Sequence, residues 1–288
     1  MSEKKTLNAY KTRLEAYLNE LPMAGAPDRL REAMRYSLLN GGKRLRGCLL
    51  LAACELGGGD AEAALPFAAA LEMIHAYSLI HDDLPAMDND TMRRGKPTNH
   101  VVFGEALAIL AGDALLTHAV EVMASSGHPN AFPALGEIIR AAGVGGMLAG
   151  QTLDVTNEGA EPDIHLVEKI HRGKTAALLT APLTAGLILA GADDGAIEAG
   201  RRYGFHLGIA FQIVDDLLDL EGDPALMGKT LGKDVQEGKL TWPACVGAEQ
   251  ARQDAAAHIS AAADALLPFG ERADFLRSFA YSTLHRVQ

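Results

Sequence analysis

Apolar residues recur at three- and four-residue spacing along almost the whole chain, in segments near 4–20, 28–39, 43–56, 61–84, 104–124, 131–149, 163–190, 194–220, 234–265 and 271–286. That period matches the α-helical turn, so each segment predicts a helix with one face turned to a core. Turn chemistry marks the breaks: Pro22 to Pro27, Gly41-Gly42, Gly57-Gly58-Gly59, Gly127-His128-Pro129, Gly159 to Pro162 and Gly222-Asp223-Pro224. Helices rarely run through such clusters, because glycine costs backbone entropy and proline lacks the N–H that a helix interior uses. No run alternates with the period of two expected of a half-buried strand, and no fixed-period repeat or Pro/Ser-rich linker divides the chain. The expectation is one all-α domain over residues 1–288. Its two longest irregular stretches, 85–103 and 221–233, contain Gly with Lys or Arg, as flaps over a charged ligand would.

Each of those stretches follows an aspartate cluster: Asp82-Asp83-Leu84-Pro85-Ala86-Met87-Asp88 and Asp215-Asp216-Leu217-Leu218-Asp219. Both clusters end apolar helical runs (71–80 and 208–214), where a protein normally places core residues. On a helix, Asp215 and Asp219 share a face with Asp216 beside them. Carboxylates that close repel one another and resist burial unless a cation neutralises them. Mg²⁺ fits such a site, since it takes one or two protein carboxylates, waters and substrate phosphates. Two clusters on separate helices therefore predict metal-loaded jaws around a phosphorylated substrate, and solvated helix ends are the plain alternative.

Composition narrows the class. With 48% hydrophobic residues in 288, the chain can bury a large core. Gly, Pro or charge interrupts each apolar run before membrane-span length, so no membrane span is expected. The polar, charged start (Met1 to Tyr10) does not read as a secretory signal. Cys48, Cys54 and Cys245 are odd in number and lack metal-ligand spacing, which points to reduced thiols and a cytoplasmic location. A net charge of −11 argues against nucleic acid as a partner, so any phosphate must be held by local cations and metals.

Such cations stand beside the jaws. Gly41-Gly42-Lys43-Arg44-Leu45-Arg46 places three at a predicted helix start, where free N–H groups and the helix dipole favour anions. Arg93-Arg94-Gly95-Lys96 follows Asp88 closely, and arginine can clamp a phosphate with two parallel bonds. Lys174 follows Gly173, while Lys229, Lys233 and Lys239 follow the second cluster. His75 is seven residues before Asp82 and so lies on the same helical stripe. A competing pattern is the pair Glu72-Met73-Ile74-His75 and Glu168-Lys169-Ile170-His171, the Glu-x-x-His arrangement of ferritin-like di-iron bundles. It leaves both aspartate clusters and Arg93-Arg94 unexplained.

Taken in order, these motifs resemble those of the trans-isoprenyl diphosphate synthases. His81-Asp82-Asp83-Leu84-Pro85-Ala86-Met87-Asp88 with Arg93-Arg94-Gly95-Lys96-Pro97-Thr98 is similar to the family's first aspartate-rich motif, and Phe211-Gln212-Ile213-Val214-Asp215-Asp216-Leu217-Leu218-Asp219 to its second. Gly41 to Arg46, Gly150-Gln151-Thr152-Leu153-Asp154 and Gly173-Lys174-Thr175 match further family motifs. The likeness spans the whole chain and is greatest to bacterial farnesyl diphosphate synthases. It implies an isoprenoid synthase (prenyltransferase) helical bundle around a deep central cavity, a homodimer, and head-to-tail joining of isopentenyl diphosphate to an allylic diphosphate with three Mg²⁺ ions.

By the same resemblance, Asp82 and Asp88 bind two ions and Asp215 the third, with Asp83, Asp216 and Asp219 supporting them. Arg93, Lys174 and Lys229 hold the allylic diphosphate, and Lys43, Arg46, His75 and Arg94 hold isopentenyl diphosphate. Thr175 and Gln212 turn oxygens to the developing carbocation. Lys233 and Asp154 are looser matches. Terpene cyclases share the fold but typically carry an Asn/Ser/Glu second motif. Non-catalytic subunits commonly lose one cluster, whereas this chain keeps both. Tyr77 lies five residues before Asp82, about 7.5 Å deeper along the helix. An aromatic there, beside the small Ser78, goes in this family with a farnesyl product and smaller residues with longer ones. Farnesyl diphosphate is thus expected, with geranylgeranyl diphosphate as the alternative.

Overall fold

The computed structural model describes residues 3–221 and 238–284. Helices α1 (Glu3–Glu20), α2 (Asp28–Leu38), α3 (Leu45–Leu56) and α4 (Leu65–Asp82) lead to a two-stranded antiparallel ribbon, β1 (Met92–Arg93) and β2 (Lys96–Pro97). Then follow α5 (Asn99–Phe103), α6 (Glu105–Ala124), α7 (Ala131–Ala142), α8 (Met147–Thr156) and α9 (Ile164–His171). A π-helical turn, Arg172–Ala176, joins α9 to α10 (Ala177–Leu189), and the 28-residue α11 (Asp194–Glu221) follows. Past the undescribed segment come α12 (Trp242–Val246), α13 (Ala248–Ala265), a 3₁₀ stretch Leu267–Ala273 and α14 (Asp274–Leu284).

Helices α3, α4 and α10 form the centre because they are apolar on every side. From Leu65 to Ile80, α4 exposes only His75, Ser78 and Leu79 even partly, apart from Pro66. It packs between α3 and α6, and α10 packs on α3, α7 and α11. The α10–α11 contact depends on missing side chains. A Cβ at Gly208 would stand 2.4 Å from Ala176 Cα, and one at Gly204 would stand 2.6 Å from Thr180 Cα. With glycine there, α11 lies directly on the neighbouring backbone, and its last turns are brought to the cleft.

Several expectations change in detail. The segment 131–149 is two helices, because Gly143, Gly145 and Gly146 interrupt it and a new helix starts at Met147. The segment 163–190 is continuous but contains the π turn. The segment 234–265 breaks at Gly247, whose φ is +83°. Within 85–103 the chain forms a ribbon turned by Arg94 and Gly95, both at positive φ (53° and 74°), the geometry of a two-residue type I′ hairpin. Of the stretch 221–233, all but Glu221 lies outside the described residues, as do Lys229 and Lys233. Among the described residues one helix, α6, is long and apolar enough to cross a membrane by length and composition. Asp113 at its middle was the interruption that shortened the apolar run in the sequence.

α11 and α13 are joined by a histidine pair, His206 Nδ1 to His258 Nδ1 at 2.9 Å. Such a contact uses a single shared proton, so it is broken when both rings are charged. Burial keeps His206 below its ordinary pKa, with Arg202 adding. Burial also lowers His258, with His206 adding and Asp254 and Glu168 opposing. Histidines depressed in the fold contribute stability above the unfolded value near 6.5 and lose it as pH falls through their folded values. The melting temperature should therefore drop between pH 6.5 and 5, and His258→Gln should flatten that slope in calorimetry. An unchanged slope would show that the pair carries none of the acid sensitivity.

Candidate active site

The first jaw is the C-terminal end of α4 and the turn after it. Asp88 N–H bonds Asp82 O at 2.9 Å and Asn89, at φ 51°, bonds Leu84 O at 3.1 Å, so the chain folds back and brings Asp88 to the helix end. Asp82 Oδ1 accepts Gln151 Nε2 from α8 at 3.0 Å. Burial pushes the Asp82 carboxyl up to about 6; Lys174 and Arg93 oppose this, and Asp88 and Asp83 add to it. Asp83 behaves differently. It is buried, and its Oδ1 accepts Arg93 Nε at 2.8 Å and Nη2 at 2.7 Å, with Nε also 3.1 Å from Oδ2.

The second jaw is the end of α11. Asp215 and Asp219 are half-buried along one face, and Asp216 is turned into packed interior. Asp216 accepts Trp242 N–H at 2.9 Å and Gln212 Nε2 at 3.0 Å, with His171 Nε2 at 3.3 Å. Gln212 Oε1 in turn accepts Thr175 Oγ1 at 2.5 Å. In each Asp-Asp pair one member, Asp83 or Asp216, is buried and held by several protein donors, while Asp82 and Asp215 are less buried.

Lys174 and Thr175 sit in the π turn, a geometry frequent at functional sites. It forms where α8 crosses at close range: a Cβ on Gly150 would stand 2.0 Å from Lys174 N. From α8, Asp154 takes Lys174 Nζ at 2.5 Å while Gln151 reaches Asp82. Lys239 Nζ reaches Asp88 Oδ1 at 3.4 Å, so a cation from beyond the second cluster touches the first.

Two recesses open here. One is lined by Arg44, Glu72, His75, Asp83, Arg93 and Arg94, the other by Asp154, Lys174, Thr175, Gln212, Asp216 and Lys239. Thr175 and Gln212 fall with Lys174, and His75 with Arg94, as the motifs imply; Arg93, however, lines the recess of His75 and Arg94. Lys43 is exposed just before α3, and Arg46 is half-buried in its first turn. Burial lowers Arg46, Glu72 and Asp215 raise it, and Arg94 lowers it again. Burial drives His75 well below its usual value, with Arg46, Arg94, Arg93 and Arg44 adding. Tyr77 is buried with its hydroxyl unpartnered and its ring edge-on to His81 at 5.8 Å. Burial pushes it up to about 12, with Asp82 adding. Ser78 gives its hydroxyl to His75 O at 3.0 Å.

Among the described residues no group of three or more His, Cys, Asp or Glu forms a protein cage for a metal. The di-iron pattern is absorbed elsewhere: Glu72 bonds Gly47 N–H and His171 meets Asp216. Asp82, which accepts Gln151, and Asp88, 3.4 Å from Lys239, supply the carboxylate oxygens that a hard cation completing its shell with water and phosphate takes. Gln151, Arg44, His171 and Trp242 were assigned no individual role in this site from sequence; Gln151 and Arg44 carried a signal as members of motifs and His171 only as half of a Glu-x-x-His pattern, while Trp242 carried none.

Comparison with known proteins decides the family. The model of the family described as polyprenyl synthetase matches residues 27–265. The chain belongs to that family. It is 49% identical over 252 residues to the heterodimeric geranylgeranyl pyrophosphate synthase large subunit 1 of Arabidopsis thaliana, covering 84% of this chain and 68% of that one. It is 45% identical over 273 residues to a dimethylallyltranstransferase of Fischerella ambigua, covering 93% and 79%. An FPP/GFPP synthase structure from Zymomonas mobilis superposes with a TM-score of 0.87 at 37% identity over 98% of both chains. A geranyltransferase from Legionella pneumophila also gives 0.87, at 34% identity over 99% and 97%. The fold is the all-α isoprenoid synthase fold, and the polyprenyl synthetase chain is a head-to-tail prenyltransferase.

Asp82 yields a sign-specific test. A carboxyl raised in the fold is favoured protonated, so its charge costs stability above pH 6 and costs nothing below about 4. In metal-free protein, Asp82→Asn, which can still accept Gln151, should raise Tm by about 3 °C at pH 7.5 and leave it unchanged at pH 4. A Tm that falls at pH 7.5 would contradict the account in which burial, with Asp88 and Asp83 adding, disfavours the charged form.

Proposed function

We propose that this polyprenyl synthetase joins isopentenyl diphosphate to dimethylallyl and then geranyl diphosphate, giving mainly farnesyl diphosphate. The observation that carries the product length is Tyr77, buried on α4 one and a half turns below Asp82 with an unpartnered hydroxyl. A chain whose diphosphate is held at Asp82 grows down that wall, and the ring stops it. Geranylgeranyl diphosphate is the second reading, favoured by the names of relatives in Arabidopsis thaliana and Cyanophora paradoxa.

In this reading Asp82, Asp88 and Asp215 would hold Mg²⁺, three ions per site, and the metal would supply positive charge to the leaving diphosphate. Lys174, Arg93 and Lys229 hold that diphosphate, with Lys239 close by on Asp88. Lys43, Arg46, His75 and Arg94 hold isopentenyl diphosphate. Thr175 Oγ1 and Gln212 Oε1 place two oxygen dipoles beside the allylic cation. Apolar side chains around the site, such as Ala76, Leu79 and Ile80 of α4, would keep water from it while the isopentenyl double bond attacks. Asp83, Asp216 and Asp219 support the metal sites, the first two from the fixed positions described above.

Turnover with Mg²⁺, isopentenyl diphosphate and each allylic diphosphate, followed by product sizing, tests this. Chelation, Asp88→Ala and Asp215→Ala should each cost orders of magnitude in rate. Tyr77→Ala should shift output to twenty carbons or more. A mainly geranylgeranyl product from the unaltered protein places the floor elsewhere.

The protein is further proposed to be a homodimer. Support comes from Val101 and Val102 on α5, Ile109 and Leu110 on α6, and Phe132 on α7, large apolar side chains left exposed on neighbouring helices. Sedimentation should give twice the chain mass, and Leu110→Glu should give monomer. A monomer at micromolar concentration would remove this assembly.

A further inference from the structure

We propose that Glu72 is a positioning residue for the isopentenyl diphosphate site. Its buried carboxylate would hold the cation-bearing turn 43–46 against α4 before substrate arrives. The inference rests on the reading that Lys43, Arg46, His75 and Arg94 form that site.

Glu72 is 4% exposed, one turn before His75 on a helix otherwise apolar at this level. A carboxylate this buried needs donors and counter-charge, and both come from the start of α3. Oε1 accepts Gly47 N–H at 3.0 Å, one of the amides that a helix N-terminus leaves without an internal partner. Oε2 stands 3.7 Å from Arg44 Nη1, and both side chains are almost fully buried. Arg44 is at φ 53°, a left-handed conformation that is strained for an L residue. That strain turns the chain so that Arg44 points to Glu72 while Lys43 and Arg46 flank it. The Nε atoms of Arg44 and Arg46 are buried without hydrogen-bond partners, so charge rather than direct bonding holds these guanidinium groups in place.

A negative charge lining a diphosphate site is explained by what surrounds it. Arg44, Arg46 and Arg94 repel one another and His75 is kept neutral, so the cluster would disperse towards solvent without a buried anion. Glu72 lines the same recess, but its Oε1 is taken by the Gly47 amide and its Oε2 faces Arg44. Its repulsion on substrate is thus weaker than its hold on the cluster.

The test measures KM for each substrate and Tm in Glu72→Gln, Glu72→Asp and Arg46→Ala. Gln keeps the size and the acceptor for Gly47 but removes the charge. Glu72→Gln should raise KM for isopentenyl diphosphate about tenfold, with KM for geranyl diphosphate within twofold of the unaltered protein. Glu72→Asp, which keeps the charge, should fall between the two, and it supplies the same split should the Gln variant not fold. An isopentenyl KM that is unchanged or lowered, or both KM values raised alike, overturns the inference. If Arg46→Ala itself fails to act selectively on isopentenyl diphosphate, it is the site assignment that falls.

Discussion

Asp83 and Asp216 accept protein hydrogen bonds deep in the two walls of the cleft, and through them each wall is tied to a segment that would otherwise be a free loop. Arg93 ties the ribbon to α4. Trp242 N–H ties the start of α12 to α11. Because these carboxylates are satisfied, their neighbours Asp82 and Asp215 can remain facing the cleft, where like charge and burial make a cation welcome. A buried carboxylate left unpaired would cost several kcal/mol, so geometry at the cleft follows from bonding behind it.

Much of this was legible in the chain. The helix period predicts an all-α fold, which the structure has, and the two aspartate clusters predict acidic helix ends, of which Asp83 lines one recess and Asp216 the other. The helix boundaries at 143–146 and 247 were hidden because single glycines inside apolar runs are tolerated in some helices and end others, depending on packing. The ribbon was hidden because two-residue strands have no period to read. Its turn, Arg94-Gly95, departs from the Asn-Gly or Asp-Gly pairs that usually announce a type I′ hairpin.

The partners of the site residues were less readable. Spacing places Asp82 and Asp83 side by side but cannot show that one meets Gln151 and the other Arg93, since each partner comes from a different element. Glu72 and His171 drew notice only as halves of a di-iron pattern, because a short Glu-x-x-His match contains nothing about what stands opposite. The π turn is likewise tertiary in origin. Close contact between Gly150 and the backbone of Lys174 widens the helix there and sets Lys174 against Asp154.

Trp242 is the only tryptophan in the chain. Its backbone N–H bonds Asp216, its indole N–H bonds Asp254 at 2.8 Å, and its ring stacks on His171 with centroids 5.6 Å apart. The indole thus touches α9 and α13, and its own backbone amide is fastened to the second aspartate cluster. Its emission is a built-in optical gauge of that wall, so the arrival of ligands at the cleft can be followed by light without attaching a dye.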